Sequence, residues 1–402
     1  MAAALHVRLH SALKREPLRS PLSVLAPQGP SVCIGGSRGE DGLATPVRPD
    51  AVSLFGPRGG CLTSARGPLW ISDTGHHRLL GWREVPAEDG VPADWVIGQT
   101  DFFHEGRNGR GAAGAATLNV PTGVTAVGAG LAVADAWNHR VLLWRSMPRD
   151  HHVEADVVLG QADFGSAVAN RGLPLPAADT LFWPYGVSWD GARLMVADTG
   201  NRRVLLWNGI PSANGQPADR VLGQAGFLCR DENGGGAPNA CSMRWPHAIA
   251  RWGQALCVAD AGNNRIMVWD VTPAADNMPC DRVLGQRDFA AVDHNQSLYW
   301  PGPATLHMPY GVAAMGDWCI AADTANSRLI AWHGGDAGCG AAAHALTGQD
   351  DFTAKGDNAW RAPTRTSLSW PYAVTGCDGT ACIADSGNNR LLLWRLAPEL
   401  ST

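Results

Sequence analysis

Lysine is almost absent from this sequence of 402 residues. Lys14 and Lys355 are the only two, and the other 30 of the 32 basic residues are arginine. Charged residues make up 17% of the chain, its formal net charge is −5, and no block of like charge occurs. Nucleic-acid-binding proteins usually present a basic face, so the composition does not favour a nucleic-acid partner. No run of about 18 apolar residues occurs, so no membrane-spanning helix is predicted.

Sequence motifs of metal, nucleotide and nucleophile sites are also missing. The ten cysteines include no Cys-x-x-Cys pair, and no Cys/His spacing is typical of a zinc site. Neither a G-x-S-x-G nucleophile turn nor a phosphate-binding P-loop occurs. The sequence therefore predicts no metal, no cofactor and no catalytic residue. Cys229 and Cys241 lie in one predicted loop and could pair if the compartment were oxidising.

Glycine and tryptophan are abundant, with 48 and 17 residues, which favours short strands joined by tight turns. One phrase recurs six times, and its first residues lie 62, 63, 62, 63 and 62 positions apart. The copies are residues 73–82 (DTGHHRLLGW), 135–144 (DAWNHRVLLW), 198–207 (DTGNRRVLLW), 260–269 (DAGNNRIMVW), 323–332 (DTANSRLIAW) and 385–394 (DSGNNRLLLW).

Each repeat unit contains four predicted strands. In the third unit, strand a spans 185–189 after a proline, b spans 194–197, c spans 204–207, and d spans 220–224 with a Gly-Gln pair. Short apolar runs between Gly, Asn and Asp turns are typical of strands. Six such units predict an all-β protein, a six-bladed β-propeller of four-stranded blades.

The last unit has no d strand, because the chain ends eight residues after Trp394. The segment 32–36 (VCIGG) fits this gap, since Gly35 precedes Gly98 by 63 residues, in phase with the repeat. We therefore expect residues 31–36 to close the ring as the outer strand of the last blade. The predicted domains are a flexible leader at 1–30 and a single propeller at 31–402. Deleting residues 1–36 should destroy the fold, and deleting 1–25 should be harmless.

The phrase D-x-x-N-x-R, with P-x-G opening the next sheet, resembles the NHL-repeat family over residues 31–395. The resemblance implies a propeller but does not choose its function. The family includes RNA-binding and protein-binding domains, bacterial sensor domains, and a zinc lyase that cleaves precursors of amidated peptides. That lyase would have histidines after the opening proline on several blades to hold zinc. Here only His247 occupies that position, so the resemblance does not support a zinc lyase.

The Asp and Arg of the repeated phrase are predicted to be structural, because they flank the b–c turn and can pair there or across blades. They are Asp73, Arg78, Asp135, Arg140, Asp198, Arg203, Asp260, Arg265, Asp323, Arg328, Asp385 and Arg390. The loops between strand d and the next strand a repeat a Phe and, six residues later, an Asn. This regularity favours packing of the loops over ligand binding.

The residue after the opening proline varies between blades, which suggests a site. The six residues are Arg58, Thr122, Tyr185, His247, Tyr310 and Tyr372. Three of the four tyrosines in the chain are in this set, and strand a of a propeller blade starts at the mouth of the central channel. We predict a ligand site there, because tyrosine is favoured at interfaces. The alternative is that these rings only pack the blades. Before the proline, Trp183, Trp245 and Trp370 are expected to be mainly structural.

The leading hypothesis is a non-catalytic, cytoplasmic scaffold that recognises a peptide, protein or small ligand on the loop-bearing face. The first alternative is a hydrolase or lyase with its site in the channel mouth. The second is an RNA-binding propeller. A contiguous arginine surface would favour RNA, and a deep polar pocket with several titratable groups would favour an enzyme.

We predict that the protein requires neither a structural metal nor a disulfide. Elemental analysis of the purified protein should find less than stoichiometric zinc. The melting temperature should be the same with and without reductant, because no cysteine lies in a metal or disulfide pattern. One zinc per chain would refute the first part, and a large drop in melting temperature under reductant would refute the second.

Overall fold

The computed structural model describes residues 21–36, 48–334 and 337–400, and in these ranges the strands form six sheets, each of which contains the four antiparallel strands of one blade. The predicted six-bladed β-propeller is confirmed. Strands b and c of a blade are buried on both faces, as in Arg203–Asn208, where five of the six residues are buried. Strands covered on both sides need continuous apolar runs, which is why each copy of the phrase ends in one.

In chain order, the strands are β1 Leu22–Ser23, β2 Val32–Gly35, β3 Gly59–Leu62, β4 Leu69–Asp73, β5 Arg78–Trp82, β6 Trp95–Ile97, β7 Pro121–Val127, β8 Gly130–Asp135, β9 Arg140–Trp144, β10 Val157–Leu159, β11 Pro184–Trp189, β12 Arg193–Asp198, β13 Arg203–Asn208, β14 Arg220–Leu222, β15 Pro246–Trp252, β16 Ala255–Asp260, β17 Arg265–Trp269, β18 Arg282–Leu284, β19 Pro309–Met315, β20 Trp318–Asp323, β21 Arg328–His333, β22 Ala345–Thr347, β23 Pro371–Cys377, β24 Thr380–Asp385 and β25 Arg390–Arg395. Blades one to five are β3–β6, β7–β10, β11–β14, β15–β18 and β19–β22, and blade six is β23–β25 with β2.

Short 3₁₀ turns make up the described helices. Six of them join strands b and c, at Thr74–His76, Ala136–Asn138, Thr199–Asn201, Ala261–Asn263, Thr324–Asn326 and Ser386–Asn388. Five lie in the d–a loops, at Arg107–Arg110, Ala169–Gly172, Glu232–Gly235, His294–Ser297 and Asp357–Trp360, and one lies at Pro398–Leu400. In the part of the chain that the structure describes, no helix is long and apolar enough to cross a membrane.

Blade six takes its outer strand from the other end of the chain. β2 pairs antiparallel with β25, with Val32 opposite Leu393 and Gly35 opposite Arg390. This pairing lets the two ends of the chain share one sheet and covers an edge that would otherwise expose unpaired backbone groups.

The segment 21–30 corrects the expected flexible leader. β1 runs parallel to β22 on the outer edge of blade five, and Leu25 is fully buried and bridges to Leu396. The indole N–H of Trp394 donates to the carbonyl of Ala26 at 2.7 Å. In the other blades this indole reaches the carbonyl nine residues later, as Trp207 reaches Gln216 at 3.0 Å. Residues 21–30 therefore provide contacts that the c–d connection makes in the other blades. The rest of the expected leader lies outside the described residues.

The apolar cores lie between blades. One cluster joins Met195 of β12 to Met267 and Trp269 of β17, so it packs blade three against blade four. Equivalent clusters join the other neighbouring blades, including blade six to blade one through Ile34 and Leu69. Each blade therefore needs both neighbours to bury its two faces.

We predict that Leu25→Ala lowers the free energy of unfolding by about 2–5 kcal/mol, because a fully buried leucine leaves a cavity when it is truncated. Leu22→Ala is the matched control, since Leu22 is 50% exposed, and it should change stability little. Denaturant titration of both variants checks this. Equal stability of the two variants would contradict the packing of this segment, whereas the expected loss would mean that deletion of residues 1–25 is not harmless.

Candidate functional site

A buried ion pair is present in each of the six blades. The Nε atom of the arginine lies 2.7–3.0 Å from the Oδ2 atom of the aspartate five residues earlier. The arginine side chains are fully buried in five blades and 8% exposed at Arg390. The twelve side chains are therefore paired within the fold and are shielded from solvent.

The ion pair also fixes the long loops. In blade three, Arg203 Nη2 donates to the carbonyls of Ala177 and Thr180 in the preceding loop, at 2.9 and 3.1 Å. Its Nη1 donates to the Phe227 carbonyl in the following loop. Asn170 of the preceding loop exchanges amide hydrogen bonds with Asn201 at 3.0 and 2.8 Å. The repeated loop Phe and Asn therefore serve packing, as in the sequence-based interpretation.

The residue after the opening proline lies at a β-bulge in blades three to six. In blade three, Pro184 pairs with Asp198 and Gly186 pairs with Ala197, which leaves Tyr185 without a partner. Blades four to six show the same shift around His247, Tyr310 and Tyr372. A bulge re-aims a side chain, and here the bulged residues line the central channel. At Gly186, a Cβ atom would lie 2.2 Å from the His247 carbonyl oxygen, so only glycine allows the inner strands to approach this closely.

The four bulged rings form one cluster. Tyr185 and His247 have ring centroids 4.8 Å apart, His247 and Tyr310 4.4 Å, and Tyr310 and Tyr372 4.5 Å. The cluster is closed across the channel, since Tyr185 and Tyr372 stack at 6.4 Å. We call these four residues the ring cluster.

Arg58 reaches across the channel from blade one to the ring cluster. Its guanidinium carbon lies 4.7 Å from the centre of the Tyr372 ring and 5.9 Å from that of Tyr185. Nη1 donates to the Tyr185 hydroxyl at 3.3 Å. Cation–π contacts of this kind place a positive charge on the aromatic faces. Five of the six predicted site residues are thus in one group.

Thr122 is the predicted site residue that lies outside this group. Its side chain is 1% exposed, and its hydroxyl donates to the Tyr185 carbonyl at 2.8 Å. The hydroxyl therefore ties blade two to blade three. Thr122 still lines the channel, but in this arrangement its polar atom is already used.

Two cavities meet at the ring cluster. The channel cavity has a volume of about 70 Å³ and is lined by the inner strands, with Arg58 as its charged residue. A second cavity of about 430 Å³, which we call the mouth pocket, lies on the loop-bearing face. It is lined by Phe182, Trp183, Tyr185, Thr199, Gly200, Arg202, Arg230, Trp245, His247, Tyr310 and Tyr372. The ring cluster lines both cavities and separates them.

The tryptophans before the proline differ from expectation. Trp183 is 43% exposed, Trp245 is 39% exposed and Trp370 is 40% exposed, so they are not buried between blades. The backbone is left-handed at Trp183 and Trp370 (φ 50° and 49°) but not at Trp245, so the exposure of the three indoles does not depend on this conformation. Trp183 and Trp245 instead form part of the wall of the mouth pocket.

Burial favours the neutral form of three side chains of the ring cluster, His247, Tyr310 and Tyr372. Burial lowers the pKa of His247 to about 4, and the nearby Arg58 charge lowers it further, against a raising effect of the Trp245 carbonyl. His247 Nδ1 lies 2.9 Å from that carbonyl, which can only accept, so Nδ1 carries the proton. Burial also raises the pKa of Tyr310 and raises that of Tyr372 well above the usual range. At neutral pH the guanidinium of Arg58 is therefore the charge at the cluster.

The two cavity linings offer aromatic rings, guanidinium groups, one imidazole and threonine hydroxyls. Neither lining contains a carboxylate, a thiol or a serine hydroxyl. Within the described ranges, no group of three or more His, Cys, Asp or Glu could hold a metal ion. Arg202 and Arg230 were not recognised as site residues from the sequence. The available signal was that Arg202 occupies a position where the other blades have His, Asn or Ser.

Comparisons with known proteins assign neither a family nor an activity to this chain. No protein-family model and no curated protein matches the chain. Among solved structures, a streptogramin B lyase is 10% identical, with a TM-score of 0.43, over 87% of this chain and 97% of that one. The hydrazine synthase of Kuenenia stuttgartiensis is 13% identical, with a TM-score of 0.48, over 89% and 99%. The WD40 β-propeller domain of Doa1 is 9% identical, with a TM-score of 0.46, over 94% and 98%. At these values the similarities assign no activity to this chain.

We predict that His247 makes stability depend on pH. Its pKa falls from 6.5 to about 4 on folding, so the native state binds fewer protons than the unfolded state. Above pH 6.5 His247 does not reduce the free energy of unfolding. As the pH falls towards 4, its burial in the neutral form lowers this free energy by up to about 3 kcal/mol. The melting temperature of wild type should therefore fall more between about pH 7.5 and about pH 4.5 than that of His247→Gln, which cannot titrate.

The comparison uses the pH-dependent difference, because His247→Gln can also lower stability at every pH. His139, whose pKa burial likewise lowers to about 4, is present in both proteins and cancels. If the melting temperatures of wild type and variant fall equally between the two pH values, His247 is not held neutral by burial.

Proposed function

We propose that this protein is a non-catalytic binding propeller, which holds a small ligand or part of a peptide or protein at the ring cluster and in the mouth pocket. The observation that carries the proposal is the placement of Arg58 and four aromatic rings at the junction of the two cavities. A concave, largely apolar pocket with few convergent polar groups is the usual form of a ligand site.

The charge of Arg58 favours a ligand over simple packing. In the described part of the chain, Arg58 forms no ion pair, and the channel lining supplies no carboxylate. A partly buried cation without an anion is costly, whereas packing alone would be served by an apolar residue. An anionic or electron-rich ligand group would compensate this charge.

The site favours binding over catalysis and over RNA recognition. His247 is neutral and buried, Tyr310 and Tyr372 are neutral phenols, and no nucleophile with an adjacent base lines either cavity. The six repeated arginines are buried and cannot contribute to a basic surface. The resemblance of the repeat to the NHL family fits a recognition role of this kind.

A thermal-shift screen of small molecules and short peptides on the full chain tests the proposal. A ligand present at about 100 times its Kd stabilises the folded state by about 2.7 kcal/mol, which gives a measurable rise in melting temperature. Every hit should stabilise Arg58→Gln and Tyr185→Phe less than wild type. These variants remove, respectively, the charge and the hydroxyl that receives its hydrogen bond, while both keep the side-chain bulk.

Trp360→Ala is the control, because Trp360 is 77% exposed and does not line either cavity. It should leave the stabilisation by every hit unchanged. Hits that stabilise Arg58→Gln and Tyr185→Phe as much as wild type would place binding elsewhere and contradict the proposal. Turnover of a hit by wild type that His247→Gln abolishes would favour the enzyme alternative instead.

A further inference from the structure

Neighbouring blades share a hydrogen bond at the residue that follows the repeated Asn. The side chain of this residue accepts a hydrogen bond from the backbone N–H of the residue before the next blade's proline. The five pairs are His77 with Val120 (3.0 Å), His139 with Trp183 (3.2 Å), Asn264 with Met308 (2.8 Å), Ser327 with Trp370 (3.2 Å) and Asn389 with Gly56 (2.9 Å). In all five pairs the donor residue has φ between 49° and 57°.

Blade three departs from this pattern, because Arg202 occupies the acceptor position and a guanidinium can only donate. The N–H of Trp245 instead points to Asp260 Oδ1 at 3.3 Å, an atom that it shares with the N–H of Arg244 at 2.9 Å. Trp245 is also the one residue of its set without a positive φ. The hydrogen bond between the side chain at this position and the next blade is therefore replaced at the junction of blades three and four. The mouth pocket lies at this junction.

Arg202 is directed to the mouth pocket instead. Its Nη1 donates to the Arg230 carbonyl at 3.0 Å, while its Nε is buried without a hydrogen-bond partner. Arg230 lines the same pocket. Within the described residues neither arginine forms an ion pair. Of the acids that follow Arg230, Asp231 is exposed, and Glu232 pairs with Arg244 at 3.1 Å.

The pocket therefore combines two arginines, no lining carboxylate, and exposed indoles at Trp183 and Trp245. Its volume of about 430 Å³ suits a small molecule or one side chain of a larger ligand. Flat aromatic groups stack on indoles, and guanidinium groups bind carboxylate or phosphate through charge-assisted hydrogen bonds. Arg202 thus does not make the inter-blade hydrogen bond, and its guanidinium group lines the pocket where an anion would bind.

We propose that the mouth pocket binds a ligand in which a flat aromatic ring carries a carboxylate or a phosphate. Arg202 and Arg230 hold the anionic group, and Trp183 and Trp245 contact the ring. This inference rests on the proposed binding function and adds the chemical class of the ligand. Carboxylate and phosphate share the oxygen chemistry that arginine recognises, so separate probes distinguish them.

Binding of three probes to the full chain, measured by ligand-detected NMR and calorimetry, tests the inference. The probes are 2-naphthoate, 2-naphthyl phosphate and the uncharged 2-naphthamide. At least one anion should bind at least about ten-fold more tightly than the amide, and the tighter of the two identifies the group. Failure of all three probes to bind at about 1 mM, or equal binding of the amide and both anions, would overturn the inference.

Arg202→Asn is the decisive variant, because asparagine is the acceptor that blades four and six use at this position. It should keep or raise the melting temperature while it reduces anion affinity to that of 2-naphthamide. Arg230→Gln should also weaken anion binding. Arg287→Gln, at an arginine that is 75% exposed and outside the pocket, should leave affinity unchanged.

Unchanged anion affinity in Arg202→Asn would overturn this inference. The proposed function would still stand if screening hits depended on Arg58 and Tyr185, and it would fail separately if they did not. Loss of anion affinity in Arg202→Asn with a preserved melting temperature would support the anion site, since a purely structural role of Arg202 would change stability instead.

Discussion

The arrangement of this protein depends on one ion pair repeated in every blade. The carboxylate of Asp198, as an example, accepts hydrogen bonds from Arg203, Asn201 and the backbone of Phe182. Arg203 then reaches the carbonyls of the loops before and after its blade. Removing one partner of such a buried pair typically costs about 3–5 kcal/mol. In blades one to five each pair fixes a turn and two loops, so the positions of these neighbouring blades follow from it.

The proposed binding surface depends on the same interaction. Asp198 is opposite Pro184 at the start of the inner strand, and the bulge that follows leaves Tyr185 free to point into the channel. Blades four to six repeat this geometry, so residues distant in sequence converge on one axis. The symmetric parts of the repeat supply a rigid frame, and the positions that differ between blades, at the bulge and at Arg202, supply the chemistry of the site.

Much of this organisation could be predicted from the sequence, because repetition at a constant period identifies both the fold and the equivalent positions. The rings at the channel were found as a varying residue in a fixed position. Residues 21–30 were missed because they belong to no copy of the phrase and their burial depends on contacts with blades five and six. Arg202 was missed for a related reason. Its proposed role depends on the inter-blade hydrogen bond that the other blades make at this position and that arginine cannot accept.

The sequence by itself determined the number of blades, the four strands of each, and the residues that begin the inner strands, since these follow from local pattern and period. Only the tertiary structure decided which of those side chains meet. Arg58 contacts Tyr372 and Tyr185 because the ring closes, whereas Thr122 is taken up by the neighbouring blade. Exposure of Trp183 and Trp245 was likewise decided by the packing of blades and loops. Contacts between blades depend on the curvature of the whole ring, and no single repeat contains that information.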